Sequence, residues 1–239
     1  MKNLLIWVSP AKNFDQESDI KIQIENSLEL GWKPEDILLV TNFPYEFMGV
    51  KSFAIMGEHH NKIWRVATKV DVMAHLFEIG FFTKGLYWLH DLDAYQQEWI
   101  TEEELGIEYL GLTDYGRNER WNGGSIFLTE KCGDFYKSLK DTLYNGYEKN
   151  KETWKNDEDA MLLVADDRAK RLNITYNFGI KKMRHCYDKA IKPIKVLHFH
   201  PERRYEGIRA MEIVKGNNEL GLPIITKRLE RIFKKYGIQ

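Results

Sequence analysis

The sequence predicts an α/β protein built on one open sheet. Through the first ninety residues, apolar runs of strand length alternate with segments of helical period, the pattern of strands joined by helices. The last run, Leu86-Tyr87-Trp88-Leu89, reads as a buried strand and closes on Asp91-Leu92-Asp93. In an extended chain, carboxylates at i and i+2 point the same way. The 239 residues are 43% hydrophobic and 13% aromatic, enough for one sizeable core.

Taken in order, residues 4–8 read as a strand and residues 9–19 as a polar loop. Ile20, Ile22, Ile24, Leu28 and Leu30 ride a helix closed by Gly31, although the alternation at its start also fits a strand. Residues 34–43 are turn then strand. Residues 61–82 form the clearest helix, with Ile63, Val66, Val70, Met73, Leu76 and Phe77 at helical spacing. Beyond the Asp pair, 106–112 and 124–128 read as strands, 133–150 and 157–163 as helices, 195–200 as a strand and 225–236 as an amphipathic helix. Without a repeat or a Pro/Gly/Ser-rich linker, one domain is the economical expectation.

Cys132 and Cys186 fit no metal spacing and read as buried small hydrophobes. The first apolar run is too short for a signal peptide and nothing reaches membrane-span length, so a cytoplasmic protein is expected. Charge is strongly divided: 17 Lys/Arg against 30 Asp/Glu in residues 1–167, but 18 against 6 in residues 168–239. Such a split fits an anionic partner, and equally a basic third packed on an acidic body.

In open α/β sheets, ligands bind beyond the carboxyl ends of the strands. Here those ends are Ser9, Asn42-Phe43 and Asp91-Leu92-Asp93. The absence of both glycine-rich phosphate fingerprints argues against a dinucleotide dehydrogenase or a P-loop NTPase. Two hard oxygen donors suit Mg²⁺ or Mn²⁺ with room left for a phosphate. A solvated strand end is the plain alternative.

Further motifs follow in order around that pair: Arg65-Val-Ala-Thr-Lys69, Trp121-Asn122-Gly123-Gly124-Ser125-Ile126-Phe127, an acidic helix start Asp157-Glu158-Asp159, Tyr176-Asn177, and Val196-Leu197-His198-Phe199-His200. Together they resemble the GT-A nucleotide-sugar glycosyltransferases, most closely the glycogenin-like (family 8-type) group, over residues 4–200. Two departures stand out: Pro201-Glu202-Arg203-Arg204 replaces the group's Gly and Lys-Pro-Trp, and Glu158-Asp159 stands where the group has Asp-Gln.

The resemblance implies a single GT-A, Rossmann-like domain over 1–200 with a mixed central sheet, and a basic C-terminal helical extension over 201–239. It assigns Asp91, Asp93 and His198 to the metal, with the register selecting His198 over His200. A nitrogen ligand tilts the choice from Mg²⁺ towards Mn²⁺. Donor binding falls to Ser9, Asn42, Arg65, Lys69, Asp91, Gly123 and Gly124, and catalysis to Asp159, Glu158 and Asn122. Each has a plainer alternative: a solvated lysine, an ordinary turn at the glycines, acidic caps on a helix.

The implied activity is metal-dependent, retaining transfer of a sugar from a UDP-type donor to a hydroxyl. A metal-dependent nuclease or phosphohydrolase would use the same Asp, Asp and His, and a nucleic-acid-binding module would use the basic third alone. Arg203, Arg204, Arg209, Lys227, Arg228, Arg231, Lys234 and Lys235 make an anionic acceptor a candidate, including hydroxylated bases of phage DNA.

Overall fold

The computed structural model describes residues 1–9, 14–55, 60–61, 67–117, 120–149, 157–180, 183–199 and 225–237. Their central sheet has eight strands in the order β3-β4-β2-β1-β5-β8-β7-β9. These are β1 (Lys2–Trp7), β2 (Ile37–Thr41), β3 (Glu46–Phe47), β4 (Val50–Ala54), β5 (Leu86–His90), β7 (Leu110–Asp114), β8 (Trp121–Thr129) and β9 (Ala169–Arg171). Strands β4, β2, β1 and β5 run parallel, whereas β8 is antiparallel to both β5 and β7. The sheet is therefore mixed, as expected. From β1 the chain builds β2 on one side and β5 on the other, so the strand order reverses between β1 and β5. A second sheet stacks β10 (Phe178–Gly179), β11 (Val196–His198) and β6 (Ala94–Gln96).

Six helices among the described residues cover these sheets: α1 (Phe14–Leu30), α2 (Ala67–Glu78), α3 (Glu102–Leu105), α4 (Gly133–Lys149), α5 (Asp157–Val164) and α6 (Lys227–Lys235). None is long and apolar enough to cross a membrane. Several bounds differ from the sequence expectation. Helix α1 starts at Phe14, inside the stretch expected as loop. The helix expected over 61–82 is seen from Ala67 and stops at Glu78, where Gly80, at φ 67°, turns the chain and folds Phe82 back onto Phe77 at 4.3 Å. Gly106 does not open a strand; at φ 54° it caps α3, whose N-cap Thr101 accepts from the Glu104 N–H. Residues 121–123 belong to β8 rather than to a turn.

Helix α1 explains the ambiguous alternation of isoleucines. On a helix, Ile20 and Ile24 share a face and Ile22 lies nearly opposite. Ile20 and Ile24 enter the core beneath the large sheet, whereas Ile22 enters the core around the small one. All three are fully buried, so α1 is a wedge between two layers. Its polar residues hold backbone: Gln23 donates to the Leu92 and Ala94 carbonyls, both at 2.9 Å, and Asn26 to the Gln96 carbonyl.

The charge division resolves in part at α6. Thr226 caps this helix, and Leu229, Ile232 and Phe233 are buried, with Phe233 against Tyr95 and Phe199. Its basic face turns towards α1: Arg231 pairs with Glu29, Lys235 with Glu25 at 2.8 Å, and Arg228 donates to Asn26 and the Gln97 carbonyl. Of the two readings of the basic third, packing on the acidic body is seen for Arg231 and Lys235, because the apolar stripe that docks α6 brings them over the glutamates of α1, while Lys234 pairs with Glu230 of its own helix. Arg203, Arg204 and Arg209 lie outside the described residues.

Two stability measurements follow. Phe233→Ala should cost about 3–5 kcal/mol in urea unfolding, the scale for truncating a buried phenylalanine. Exposed Lys234→Ala should stay within about 0.5 kcal/mol; equal effects would mean that α6 is not docked. Burial opposes the charge of Glu25, yet Lys235 and Tyr236 together hold its carboxyl below the usual glutamate range. A depressed folded-state pKa stabilises above the unfolded value and is lost as pH falls through the folded one. The destabilisation caused by Lys235→Met should therefore be present at neutral pH and fade in acid.

Candidate metal and donor site

The Asp91-Leu92-Asp93 segment is not an extended strand end. It is a turn, closed by the Ala94 N–H to the Asp91 carbonyl at 3.0 Å, and the buried Leu92 anchors it. A β-turn, rather than strand alternation, brings the carboxylates together. Each sheet holds one end of it: Asp91 N–H donates to the Gly124 carbonyl of β8, and Phe199 N–H donates to the Asp93 carbonyl, both at 2.9 Å. In the small sheet His198 pairs with Ala94, one residue beyond Asp93. That register delivers the imidazole to the turn.

Asp91, Asp93 and His198 each offer a ligand atom, all within 4.8 Å of one another. His198 Nε2 lies 3.7 Å from Asp91 Oδ2 and 3.6 Å from Asp93 Oδ1. These spacings exceed a hydrogen bond and suit ligands sharing one ion, with the two carboxylates supplying hard oxygens. Asp93 and His198 are buried, whereas Asp91 is half-buried and faces the cleft. The residues present fit a divalent cation.

Behind the turn, β5 delivers a buried imidazole. His90 stacks on Trp88 at 3.8 Å, and its nitrogens approach Asn3 Oδ1 at 2.9 Å and the Asp91 carbonyl at 3.1 Å. Burial pushes its pKa down to about 4, so the ring is neutral. Asn3 in turn donates to Ser27 of α1 at 2.9 Å.

Lys69, on the first turn of α2, reaches across to Asp91 at 2.9 Å, the Gly123 carbonyl at 2.8 Å and Asp157 at 3.8 Å. Burial disfavours its charge, but Asp91 and Asp157 outweigh that and raise its pKa, so it is an ammonium. Asp157 is pushed up by burial, with Lys69 opposing. Next along α5, Glu158 accepts from the Tyr115 hydroxyl at 2.5 Å and the Gly123 N–H at 3.4 Å. Arg120 pairs with Glu158 at 3.3 Å and with Asp159 at 2.8 Å.

The structure thus gathers Lys69, Asp91, Asp93, Gly123, Gly124, Asp157, Glu158 and His198 into one connected cluster, with the partly exposed Asp159 beside it through Arg120. Other expected residues have backbone partners. Asn42 spends its amide on the Ser9 backbone, accepting from its N–H at 3.2 Å and donating to its carbonyl at 2.7 Å; the pair ties the ends of β1 and β2. Asn122 is fully buried, with its oxygen on the Gly124 N–H at 3.1 Å and its nitrogen 3.8 Å from the Met183 sulfur. Its side chain shapes β8 rather than facing the cleft. Arg65 and His200 lie outside the described residues. Tyr115 and Arg120 were missed, because an ordinary loop between two strands carries no spacing signal.

Gly124 has a purpose that differs from the expected approach to a sugar. A Cβ there would clash with the His198 ring, 2.0 Å from Cε1 and 2.8 Å from Nε2, so the bare backbone is what lets the imidazole come this close to β8.

No protein-family model matches the chain, and no curated protein matches it in sequence. Solved structures do match in fold. The glycosyltransferase GlyE of Streptococcus pneumoniae TIGR4 superposes on 98% of this chain with a TM-score of 0.59 at 16% identity. The galactosyltransferase LgtC, solved with donor and acceptor sugar analogues, covers 97% at TM-score 0.58 and 10% identity, with all of its own chain matched. A glycosyltransferase involved in glycosylation of the major capsid of PBCV-1 covers 90% at TM-score 0.57 and 13% identity, again over its whole chain. The fold is that of the GT-A glycosyltransferases. Within that GT-A frame the Asp91–Asp93 turn lies beyond the carboxyl end of β5, beside the strand reversal. The chain spans 64% of the length of GlyE.

Gly124→Ala should weaken Mn²⁺ binding on the order of 10- to 100-fold, the scale for losing support behind a ligand, although every ligand remains. Gly123→Ala meets softer neighbours, the Met161 methyl at 3.2 Å and Asp157 at 3.3 Å, and should cost less. Manganese titration by calorimetry separates them; equal affinities would remove His198 from the site.

Proposed function

We propose that this chain is a metal-dependent glycosyltransferase that moves a sugar from a nucleotide-diphosphate donor, UDP foremost, to a hydroxyl acceptor. One observation carries the proposal: Asp91, Asp93 and His198 converge just beyond the carboxyl end of β5 in a chain with a GT-A fold. The neighbours named as glycosyltransferases support the activity by analogy of fold.

Asp91, Asp93 and His198 would hold the divalent ion, Mn²⁺ ahead of Mg²⁺ because one ligand is nitrogen. Bound there, the ion supplies Lewis-acid neutralisation of the leaving diphosphate. Lys69 adds a buried positive charge beside Asp91, able to turn from its carboxylate partners to a donor phosphate. Ser9 and Asn42, tied together at the same sheet edge, frame the nucleotide side. Asp157 closes the floor over Gly123, and Glu158 and Asp159 flank the sugar. Asn122 acts indirectly, by holding Gly124 in the conformation that seats His198. Retention of the anomeric configuration comes from the glycogenin-like resemblance. Two of the α6 cations pair with α1, and the acceptor is proposed as a hydroxyl, with a hydroxylated base of phage DNA kept among its candidates.

The test is a panel of UDP-sugars with Mn²⁺, read by donor hydrolysis and by thermal shift. Asp93→Ala should abolish metal-dependent donor binding while the fold persists, and Asp91→Ala and His198→Ala should weaken it strongly. Loss of the ion at the leaving group should cost several kcal/mol of transition-state stabilisation. Full transferase activity in Asp93→Ala would refute the site, and phosphodiester cleavage without any sugar donor would favour a nuclease.

A further inference from the structure

Three successive carboxylates, Asp157, Glu158 and Asp159, start α5, and their surroundings differ sharply. Lys69 answers Asp157 at 3.8 Å. Glu158 accepts hydrogen bonds from Tyr115 and the Gly123 N–H on Oε1, and its Oε2 lies 3.3 Å from Arg120 Nε in an ion pair without a hydrogen bond. Asp159 has a third of its side chain open to solvent and meets Arg120 through Oδ1. One guanidinium therefore spans two adjacent carboxylates that a helix would otherwise splay apart, and it does so at the mouth of the cleft. Neither Arg120 nor Tyr115 belongs to any motif of the resemblance.

We propose that Arg120 is a positioning residue of the transfer site, whose fork fixes Glu158 as the held carboxylate and Asp159 as the one presented to substrate. The proposal rests on the glycosyltransferase reading and assigns the two side chains unequal roles within it. Burial and the Tyr115 hydrogen bond favour the division, and a planar guanidinium sets its ion-pair contacts to Glu158 at 3.3 Å and Asp159 at 2.8 Å in fixed relative directions, whereas an ammonium is a point charge. The sequence places Arg120 next to Trp121, which pairs with Asp114 across β7 and β8, so its backbone is set by the sheet. Substrate that approaches Asp159 meets a carboxylate already oriented, and Glu158 stays fastened to β8 through Gly123.

The electrostatic consequence can be read directly. Facing Glu158 are Tyr115 and Arg120 from the loop after β7, the Gly123 N–H of β8 and Asp157 of its own helix, with Lys69 of α2 behind Asp157. Burial pushes the Glu158 carboxyl up, with Asp157 adding to that push, while Tyr115 and Arg120 oppose it. Removing the guanidinium leaves the upward causes in place.

Carboxyl-¹³C NMR titration of Glu158 and UDP-sugar hydrolysis with Mn²⁺ test this in wild type, Arg120→Gln and Arg120→Lys. In Arg120→Gln the Glu158 titration should move up by about one unit, the scale for losing an adjacent opposite charge. Turnover should fall on the order of 10- to 100-fold, as misplacing a reacting group does, while Mn²⁺-dependent UDP affinity holds. The acid limb of the rate profile should shift to higher pH. Arg120→Lys, also the fallback if the glutamine variant does not fold, should keep the titration near wild type yet lose turnover for want of the fork. An unchanged titration in Arg120→Gln, or wild-type turnover in Arg120→Lys, overturns the proposal. A wild-type protein that cleaves no UDP-sugar would instead overturn the glycosyltransferase reading, and the titration would still decide whether Arg120 governs Glu158.

Discussion

The Asp91–Asp93 turn is tethered to two sheets at once, and the rest of the site depends on it. From the large sheet, Gly124 accepts the Asp91 N–H; from the small one, Phe199 donates to the Asp93 carbonyl. Two backbone hydrogen bonds of ordinary strength, roughly 1 kcal/mol each in net terms, thereby fix two carboxylates and one imidazole relative to one another. Neither sheet alone could do so. The large sheet carries no His198, and the small sheet, with two- and three-residue strands, is too slight to stand unsupported.

Helix α1 supplies that support by lying between the layers. Gln23 and Asn26 lie on the buried faces of α1, unlike its partly exposed Lys21 and exposed Glu29, so they must find backbone partners inside, as buried amides require. Those partners are the carbonyls of the metal turn and of β6. The same helix meets Asn3 through Ser27, and Asn3 meets His90, whose neutral ring touches the Asp91 carbonyl. Buried polar contacts thus converge on the turn from behind, while the charged residues Lys69, Asp157, Glu158 and Arg120 work from the cleft.

Much of this architecture was legible in the residues. The strand–helix alternation and the acidic start of α5 stand where local composition and spacing placed them, and the Asp pair follows β5 as read, though on a turn rather than an extended end. What was not legible depended on contacts between distant segments. Strands β6, β9 and β10 are two or three residues long and carry no periodicity to read. Alternation could not separate His198 from His200, which are two residues apart and share a strand face; pairing with Ala94 is what places His198. The isoleucines of α1 looked strand-like because a doubly buried helix shows two apolar faces. The double glycine of β8 looked like a turn or a sugar contact, yet Gly124 is required by an imidazole some seventy residues away.

The docking of α6 has a consequence for how the molecule is made. On a ribosome, chain order places both carboxylates of the turn outside long before His198, and α6 emerges after both. Until then the small sheet lacks its cover: Tyr95 and Phe199 have no Phe233 to pack on, and Glu25 and Glu29 of α1 have no cations. The three candidate ligands are therefore all present before α6 arrives, but the small sheet that carries His198 gains its cover only when that helix docks.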